Sequence, residues 1–250
     1  MLISHKYKFI YLKTIKTGST SVEAYFERFC MPENDYELSH DREVYESNFG
    51  VVGYRGPKPS SQKKWYNHMS AYEVKQKLGD AKWDSYYKFC IVRNPWDKAV
   101  SAYDHFGESF ANKFKKKMWL NKLSKKIRLK IRHPFYTTTQ DDFLAWLTYG
   151  KLPIDRDIYQ IKNKTIIDDV IRFENLNDDI YKICQRLRLP WDPSLLPHLK
   201  TEIRNRSVPL EAVYSPAADK IIRDRYASEI AEFGYTPPCK FGVKFCSRQL

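Results

Sequence analysis

The sequence has no long apolar run. No stretch of its 250 residues approaches the about 18–20 consecutive apolar side chains that a helix needs to cross a bilayer. The first eight residues, MLISHKYK, also lack the apolar segment of a secretory signal peptide. These two absences predict a cytoplasmic protein, unless the chain is part of a longer one.

Cysteine and glycine are also scarce. The five cysteines are odd in number and widely spaced, without a Cys-x-x-Cys pair, so neither a zinc site nor a redox pair is indicated. We interpret them as reduced thiols, with at least three in the core, and we expect that no metal is required. Gly18 is the only glycine before residue 50. This excludes a Walker-type nucleotide loop, because that motif has two glycines before its lysine.

Acidic residues are outnumbered, since 43 lysines and arginines against 30 aspartates and glutamates give a net charge of +13. The excess favours an anionic partner, such as a nucleotide, a sulfated or carboxylated polymer, nucleic acid or an acidic membrane surface. Nucleic acid is less favoured, because no recognised nucleic-acid-binding module accompanies the charge.

The segment from Lys113 to Arg132 concentrates this charge. It carries ten basic residues and no acidic one, interleaved with apolar side chains. The spacing predicts one or two amphipathic helices with a cationic face. Three interpretations stay open: a track for an anionic saccharide, contact with an acidic membrane surface, or a face that is only solvated.

Three short apolar runs precede segments with helical spacing: Phe9–Leu12, Phe89–Val92 and Val170–Phe173. The first helix is expected to begin near Ser19–Thr20, because Thr20 and Glu23 match a capping box. The second is expected to have Asn94 as its cap and Pro95 as its first residue. The repeated order of strand and helix predicts an α/β fold with a central parallel β-sheet flanked by helices, whose ligands bind at the carboxyl ends of the strands.

Two other segments have clear local signals. Ser215 and Pro216 mark the start of a last helix, and Gly234 marks its end. The glycines and prolines of residues 50–64, GVVGYRGPKPSSQKK, predict a surface loop.

The first strand-to-helix turn is Lys16-Thr17-Gly18-Ser19-Thr20-Ser21. Amide N–H groups and the positive end of the helix dipole make this position an anion site. Gly18 would let the backbone approach a ligand, and the hydroxyl groups would add donors. The alternative is that these residues only form a turn and cap the helix.

The second turn adds an arginine at the end of a strand. Arg93 follows the strand directly, and Ser101 lies eight residues later, about two helical turns along. A guanidinium group and a hydroxyl near a helix start could hold a second phosphate. The alternative is that Arg93 pairs with Asp97 or Glu174.

Four stretches resemble one known family. They are KTGSTS (16–21), VRNPWDKAVSAY (92–103), IRFENLNDDIYKIC (171–184) and YSPAADKIIRDRYASEIAEFGY (214–235). Together they resemble the sulfotransferases that use 3′-phosphoadenosine 5′-phosphosulfate (PAPS), especially the carbohydrate type that acts on heparan or chondroitin. The resemblance implies a P-loop-like sulfotransferase fold in a single domain over 1–250. The region at about 106–136 matches no part of the family pattern, and its composition predicts a basic helical insertion. One departure is Ile15, which stands where many members have proline.

The resemblance also implies roles for the residues of both turns. Lys16 would stabilise the charge that develops on the leaving phosphate. The 5′-phosphosulfate would be bound by Thr17, Gly18, Ser19, Thr20 and Ser21. Arg93 and Ser101 would bind the 3′-phosphate, and Arg206, in the basic loop 200–206, would close over that phosphate or the adenine. Arg172 and Glu174 would touch the cofactor or brace Arg93.

An alcohol acceptor needs a base, and histidine has a suitable pKa. His68 precedes a predicted amphipathic helix, and similar carbohydrate sulfotransferases have a catalytic histidine in a comparable stretch. The alternative for His68 is a surface or helix-capping role, and His40 and His105 are the reserve candidates.

The leading hypothesis is therefore a PAPS-dependent sulfotransferase that modifies a hydroxyl group, on a saccharide or polysaccharide. A nucleotide-dependent kinase and a non-catalytic module that binds anionic polymers are the alternatives.

Overall fold

The computed structural model describes residues 1–56, 63–120, 139–197, 199 and 213–238, without the side chains of 108–120 and 139. The chain divides into two compact units. Unit one comprises Met1–Arg93 and Ile154–Thr201, and unit two comprises Asn94–Pro153 and Glu202–Leu250.

The described strands all belong to unit one. They are β1 (Leu2–Ser4), β2 (Phe9–Leu12), β3 (Tyr45–Glu46), β4 (Gly50–Val52), β5 (Tyr87–Val92), β6 (Gln160–Ile161), β7 (Lys164–Thr165) and β8 (Asp169–Arg172). A six-stranded sheet has the order β3-β4-β1-β2-β5-β8, and β6 and β7 pair separately. Strands β2, β5 and β8 are parallel, whereas β1, β3 and β4 pair in antiparallel fashion.

The described helices are α1 (Ser19–Glu27), α2 (Ala71–Leu78), α3 (Asp80–Ser85), α4 (Pro95–Leu120), α5 (Thr139–Tyr149), α6 (Arg156–Tyr159), α7 (Leu176–Leu187), α8 (Pro216–Arg225) and α9 (Ala227–Phe233). Of these, α1, α2, α3, α6 and α7 belong to unit one. Within the described ranges, no helix combines the length and the apolar character that a membrane crossing needs.

The parallel half of the sheet confirms the predicted α/β fold. All four side chains of β2 are buried, as expected for a strand that is covered on both faces. Leu12 pairs with Cys90, and Val92 pairs with Arg172, so the carboxyl ends of the three strands lie at one edge. Strand β8 ends at Arg172, one residue earlier than predicted, because Phe173 begins a 3₁₀ turn.

Apolar side chains of α1 and α7 cover the sheet. Val22 and Phe26 of α1 and Ile183 of α7 are buried in the same cluster as Phe9 and Phe89. Three cysteines, Cys30, Cys90 and Cys184, are buried free thiols. The prediction of at least three core cysteines is therefore confirmed, while Cys239 and Cys246 lie outside the described residues.

The antiparallel half was not predicted. Residues 50–64 were expected to form a surface loop, but Gly50–Val52 is the buried strand β4. The glycine has a packing role, because a Cβ atom at Gly50 would overlap the carbonyl oxygen of Ile3 on β1. Its reading as a loop signal was wrong, and the prolines of this segment lie outside the described residues.

Unit two is helical in its described part. The side chain of Asn94 accepts a hydrogen bond from the backbone N–H of Trp96 (3.1 Å), which confirms the predicted start of α4. Ser215 caps α8 and Gly234 ends α9, as predicted, but the helix between them is interrupted at Tyr226. The basic segment begins within α4, and its residues 121–132 lie outside the described residues.

Candidate functional site

The turn between β2 and α1 is built from residues with a left-handed backbone. Lys16 has φ 60° and Gly18 has φ 80°. A Cβ atom at Gly18 would lie 2.8 Å from the ring of Phe173. Glycine is therefore required here by its positive φ and by the contact with Phe173, which is a different reason from the predicted approach to a ligand.

Hydroxyl groups fix the shape of this turn. Thr14 Oγ1 donates to the carbonyl of Ile91 (2.5 Å), so the 2.7 Å contact between Thr14 and Thr17 uses the hydrogen of Thr17. Ser19 Oγ donates to the carbonyl of Thr14 (2.6 Å). The hydroxyl hydrogens of Thr17 and Ser19 therefore stabilise the turn itself, and the backbone N–H groups remain the donors that an anion would use.

Helix α1 begins at Ser19, as predicted, but without a capping box. Gly18 occupies the N-cap position, and no side chain caps the helix. Glu23 is instead buried and contacts Lys13 Nζ (2.5 Å), the amino group of Met1 (2.6 Å) and Arg55 (2.7 Å). The predicted capping box is wrong because these cations bind the carboxylate.

The charges around Glu23 also set its protonation state. Burial alone would raise the pKa of Glu23, but Lys13, the Met1 amino group and Arg55 hold that pKa well below its usual value. The first turn of α1 itself contains no acidic residue. The helix N-terminus is thus compatible with an anionic ligand.

Arg93 lies beside this turn. Its guanidinium donates to the carbonyl of Lys16 (3.3 Å) and stacks on Phe173, 4.1 Å from the ring centre. The structure therefore brings together Lys16 and Arg93, two cations predicted from separate motifs. Phe173 touches both Gly18 and Arg93 and was not identified from the sequence, where it was assigned to the end of the third strand.

Ile15 has a partner that the sequence did not indicate. Its backbone N–H donates to Asp155 Oδ1 (3.0 Å), and Asp155 is buried. Proline has no N–H group, so a proline at position 15 could not make this bond. Asp155 thus anchors the residue before Lys16 from 140 positions away.

His68 is partly buried and is tied to the segment that leads into the turn. Its Nδ1 lies 3.0 Å from the carbonyl oxygen of Lys13. Because a carbonyl can only accept, Nδ1 carries the hydrogen and Nε2 is left as the basic nitrogen. Burial and the positive charge of Lys13 lower the pKa of His68 to about 4, so the ring is neutral at pH 7.

Comparison with known proteins decides the family. The family model described as "Sulfotransferase family" matches residues 1–236. The chain belongs to the sulfotransferase family. The activity of this family is sulfuryl transfer from a nucleotide sulfate donor to an acceptor. An uncharacterized protein of Archaeoglobus fulgidus is 28% identical over 123 residues, which cover 49% of this chain and 84% of that relative. No solved structure matches the chain.

The reserve histidines of this sulfotransferase have other surroundings. His40 is in an exposed position, and its ring contacts Asp41 (2.8 Å). His105 is exposed on α4 in unit two. The ring of His68 contacts the strand-to-turn segment of unit one through the carbonyl of Lys13.

The other predicted residues of the sulfotransferase stay predictions. Ser101 is partly buried on α4 in unit two. Arg172 donates its backbone N–H to Asp179 (2.9 Å), and Glu174 lies in the following 3₁₀ turn. Arg206 lies outside the described residues, although the backbone N–H of Leu199, just before that basic loop, donates to Ser21 Oγ (3.1 Å).

In the described part of the sulfotransferase, no group of three or more His, Cys, Asp or Glu side chains could hold a metal ion. The expectation that the reaction requires no metal stays a prediction.

Proposed function

We propose that this sulfotransferase transfers a sulfuryl group from PAPS to a hydroxyl group of a carbohydrate, within a single domain. The observation that carries the proposal is the contact between Arg93 and the carbonyl of Lys16 (3.3 Å). It joins the two phosphate-binding motifs at the edge where the parallel strands end, which is where α/β sheets bind their ligands.

In this proposal the 5′-phosphosulfate binds at the first turn of α1. The backbone N–H groups of Thr17, Gly18, Ser19 and Thr20 would donate to its oxygens. Ser21, whose backbone N–H donates to the carbonyl of Gly18 (3.1 Å), would contribute its hydroxyl group. The left-handed backbone at Lys16 and Gly18 shapes this turn before the donor arrives, so little ordering accompanies binding. Lys16 would stabilise the negative charge of the leaving phosphate.

The 3′-phosphate would bind to Arg93, with Ser101 and Arg206 as further ligands. Stacking on Phe173 (4.1 Å) restricts the guanidinium to one plane, and a fixed fork suits a phosphate. Arg93 is only 6% exposed, so its side chain is already ordered by contacts with Phe173 and the carbonyl of Lys16.

The reaction balances without a further reagent. The acceptor oxygen attacks sulfur in line, and the new O–S bond forms as the bond between sulfur and the 5′-phosphate oxygen breaks. The electron pair of the broken bond stays on that phosphate oxygen, close to Lys16. The hydroxyl proton passes to Nε2 of His68, the basic nitrogen of the ring.

The carbohydrate acceptor is supported by the resemblance to carbohydrate sulfotransferases and by the net charge of +13. An excess of positive charge attracts anionic polymers to the protein. The acceptor is tested with unsulfated glycosaminoglycan chains in a PAPS turnover assay, with neutral dextran as the control.

Donor binding is the first test. Calorimetric titration would compare 3′-phosphoadenosine 5′-phosphate (PAP) with ATP and adenosine 5′-phosphate, on the wild type, Arg93→Ala and Arg186→Ala. Arg186 is a matched control because it also stacks on a ring, that of Tyr87 (5.1 Å). We expect selective PAP binding that Arg93→Ala removes and Arg186→Ala retains.

The alternatives give different results. A kinase would prefer ATP with magnesium. A polymer-binding module would bind anionic chains in a salt-sensitive manner, even after loss of Lys16 and Arg93. Absence of PAP binding by the wild type would refute the proposal.

A further inference from the structure

Lys13 lies between β2 and the Lys16 turn and contacts both Asn67 and His68. Its side chain is 2% exposed, and Nζ lies 2.5 Å from Glu23 Oε2 and 3.3 Å from Asn67 Oδ1. Its backbone carbonyl accepts the hydrogen of His68 Nδ1 (3.0 Å). One buried residue therefore contacts His68 directly and also contacts the residue before it.

The His68 segment needs such support. His68 has φ 60°, a left-handed conformation that is costly for a residue with a side chain unless its surroundings hold it. Asn67 is held on two sides, because its backbone N–H donates to the carbonyl of Tyr54 (3.1 Å) and its side chain accepts from Lys13. The segment is therefore fixed between Lys13 and the stretch of chain that follows β4.

The charges that act on His68 come from this same network. They are Lys13 and the Met1 amino group, which disfavour a protonated ring, and Glu23, which favours it. Glu23 lies directly against Lys13, and Arg55 also pairs with Glu23 and with Glu27. A protonated His68 would add another cation beside the buried ammonium of Lys13.

We propose that Lys13, held by Glu23 and Asn67, is a positioning residue that fixes the ring of His68 with its hydrogen on Nδ1 and its lone pair on Nε2. The inference rests on the proposed function, in which Nε2 accepts the proton of the acceptor hydroxyl. Lys13 acts through His68 and need not touch the donor or the acceptor.

The test observes His68 directly. Two-bond ¹H–¹⁵N NMR spectra of the histidine rings, recorded from pH 4 to 8 and assigned with His68→Ala, report both the tautomer and the pKa. We expect the wild type to keep a neutral His68 with the hydrogen on Nδ1 down to about pH 5, as its pKa of about 4 requires.

The decisive variant is Lys13→Met, which removes the charge and retains an unbranched chain. The pKa of His68 should rise by about one unit, because a neighbouring positive charge is lost. The acid limb of the profile of kcat/KM against pH should move upward by the same amount. Lys182→Met is the control, because Lys182 is an exposed lysine of unit one paired with Asp179 (3.0 Å), and it should leave His68 unchanged.

A second variant keeps the inference testable if Lys13→Met does not fold. Asn67→Ala retains the contact between Lys13 and Glu23 and removes only the side-chain amide. His68 should then populate both neutral tautomers, and turnover should fall while PAP affinity is unchanged. A wild-type His68 with its hydrogen on Nε2, or an unchanged His68 in every folded variant, would overturn the inference.

Failure of the inference and failure of the proposed function are distinguishable, because the NMR readouts need neither donor nor turnover. If His68→Ala retains turnover while Lys13→Met shifts His68 as expected, only the role of His68 as base is lost. If His68→Ala abolishes turnover and neither Lys13→Met nor Asn67→Ala alters His68, the base role stands and Lys13 is not its positioning residue.

Discussion

Glu23 in unit one and Glu229 in unit two are both buried carboxylates that contact a buried lysine. Glu229 binds Lys98 (3.0 Å), and Lys98 lies over the ring of Tyr226, so this pair joins α4 to α9 within an aromatic core. Glu23 contacts three cations, and one of them, Lys13, also holds His68.

The two buried carboxylates differ in the role that their ion pairs have in the protein. Such pairs contribute little net stability, because desolvation offsets most of their attraction. The pair of Lys98 and Glu229 fixes how two helices pack. The network of Glu23 includes Lys13, which contacts His68, the base of the proposed reaction.

The largest expected effect is on stability. Glu23→Gln should lower the free energy of unfolding by about 3–5 kcal/mol, because it leaves several buried cations without their shared carboxylate. Glu229→Gln leaves only Lys98 without its carboxylate partner and should lower the free energy of unfolding by less. Urea unfolding of both variants tests this ranking, and equal losses would remove the distinction between the two sites.

The next effect is on turnover. His68→Ala in unit one should lower turnover roughly a hundredfold or more, the usual scale for loss of a general base, and leave PAP affinity unchanged. His105→Ala in unit two should change neither quantity. Steady-state assays and calorimetry measure both, and normal turnover of His68→Ala would exclude this residue from the mechanism.

A smaller effect separates two glycines with positive φ. Gly234 has φ 65°, and no atom of the described residues lies within 4 Å of an added Cβ, so Gly234→Ala should cost about 1 kcal/mol of backbone strain. Gly18→Ala adds a clash with Phe173 and should cost about 2 kcal/mol, together with weaker PAP binding. A Gly18→Ala variant as stable as Gly234→Ala would show that Phe173 moves aside easily.

The smallest effect is a dependence on pH. The pKa of Glu23 is lower in the folded protein than its usual value of 4.5, so its stabilising contribution is complete above that value. The contribution is lost as pH falls through the lower, folded pKa. Glu23→Gln should flatten the decline of unfolding free energy below about pH 5, whereas an unchanged decline would assign it to other carboxyl groups.

Local patterns in the sequence were sufficient to predict the two strand-to-helix turns of the candidate site. The apolar run of β2 and the caps of α4 gave two strand-to-helix turns, and the common edge of parallel strands then placed Lys16 near Arg93. Each of these inferences depends on residues that are close in sequence, where periodicity and capping rules apply.

The remaining features depend on distant residues. Glu23 satisfies a local capping rule, but Arg55 and Lys13 attract its carboxylate more strongly in the folded chain. Gly50 was read as a loop signal, although its lack of a Cβ allows β4 to pair with β1. No local rule could have indicated these contacts, because each requires the tertiary fold.

The hydrogen bond from Ile15 to Asp155 has a consequence for biosynthesis and for evolution. During translation, this bond cannot form until the ribosome has passed residue 155, and the contacts that Phe173 and Leu199 make with the same turn can form only later still. A relative with proline at position 15 would have no backbone N–H group there, and Asp155 would lose this hydrogen bond. Positions 15 and 155 are therefore expected to change together, although 140 residues separate them.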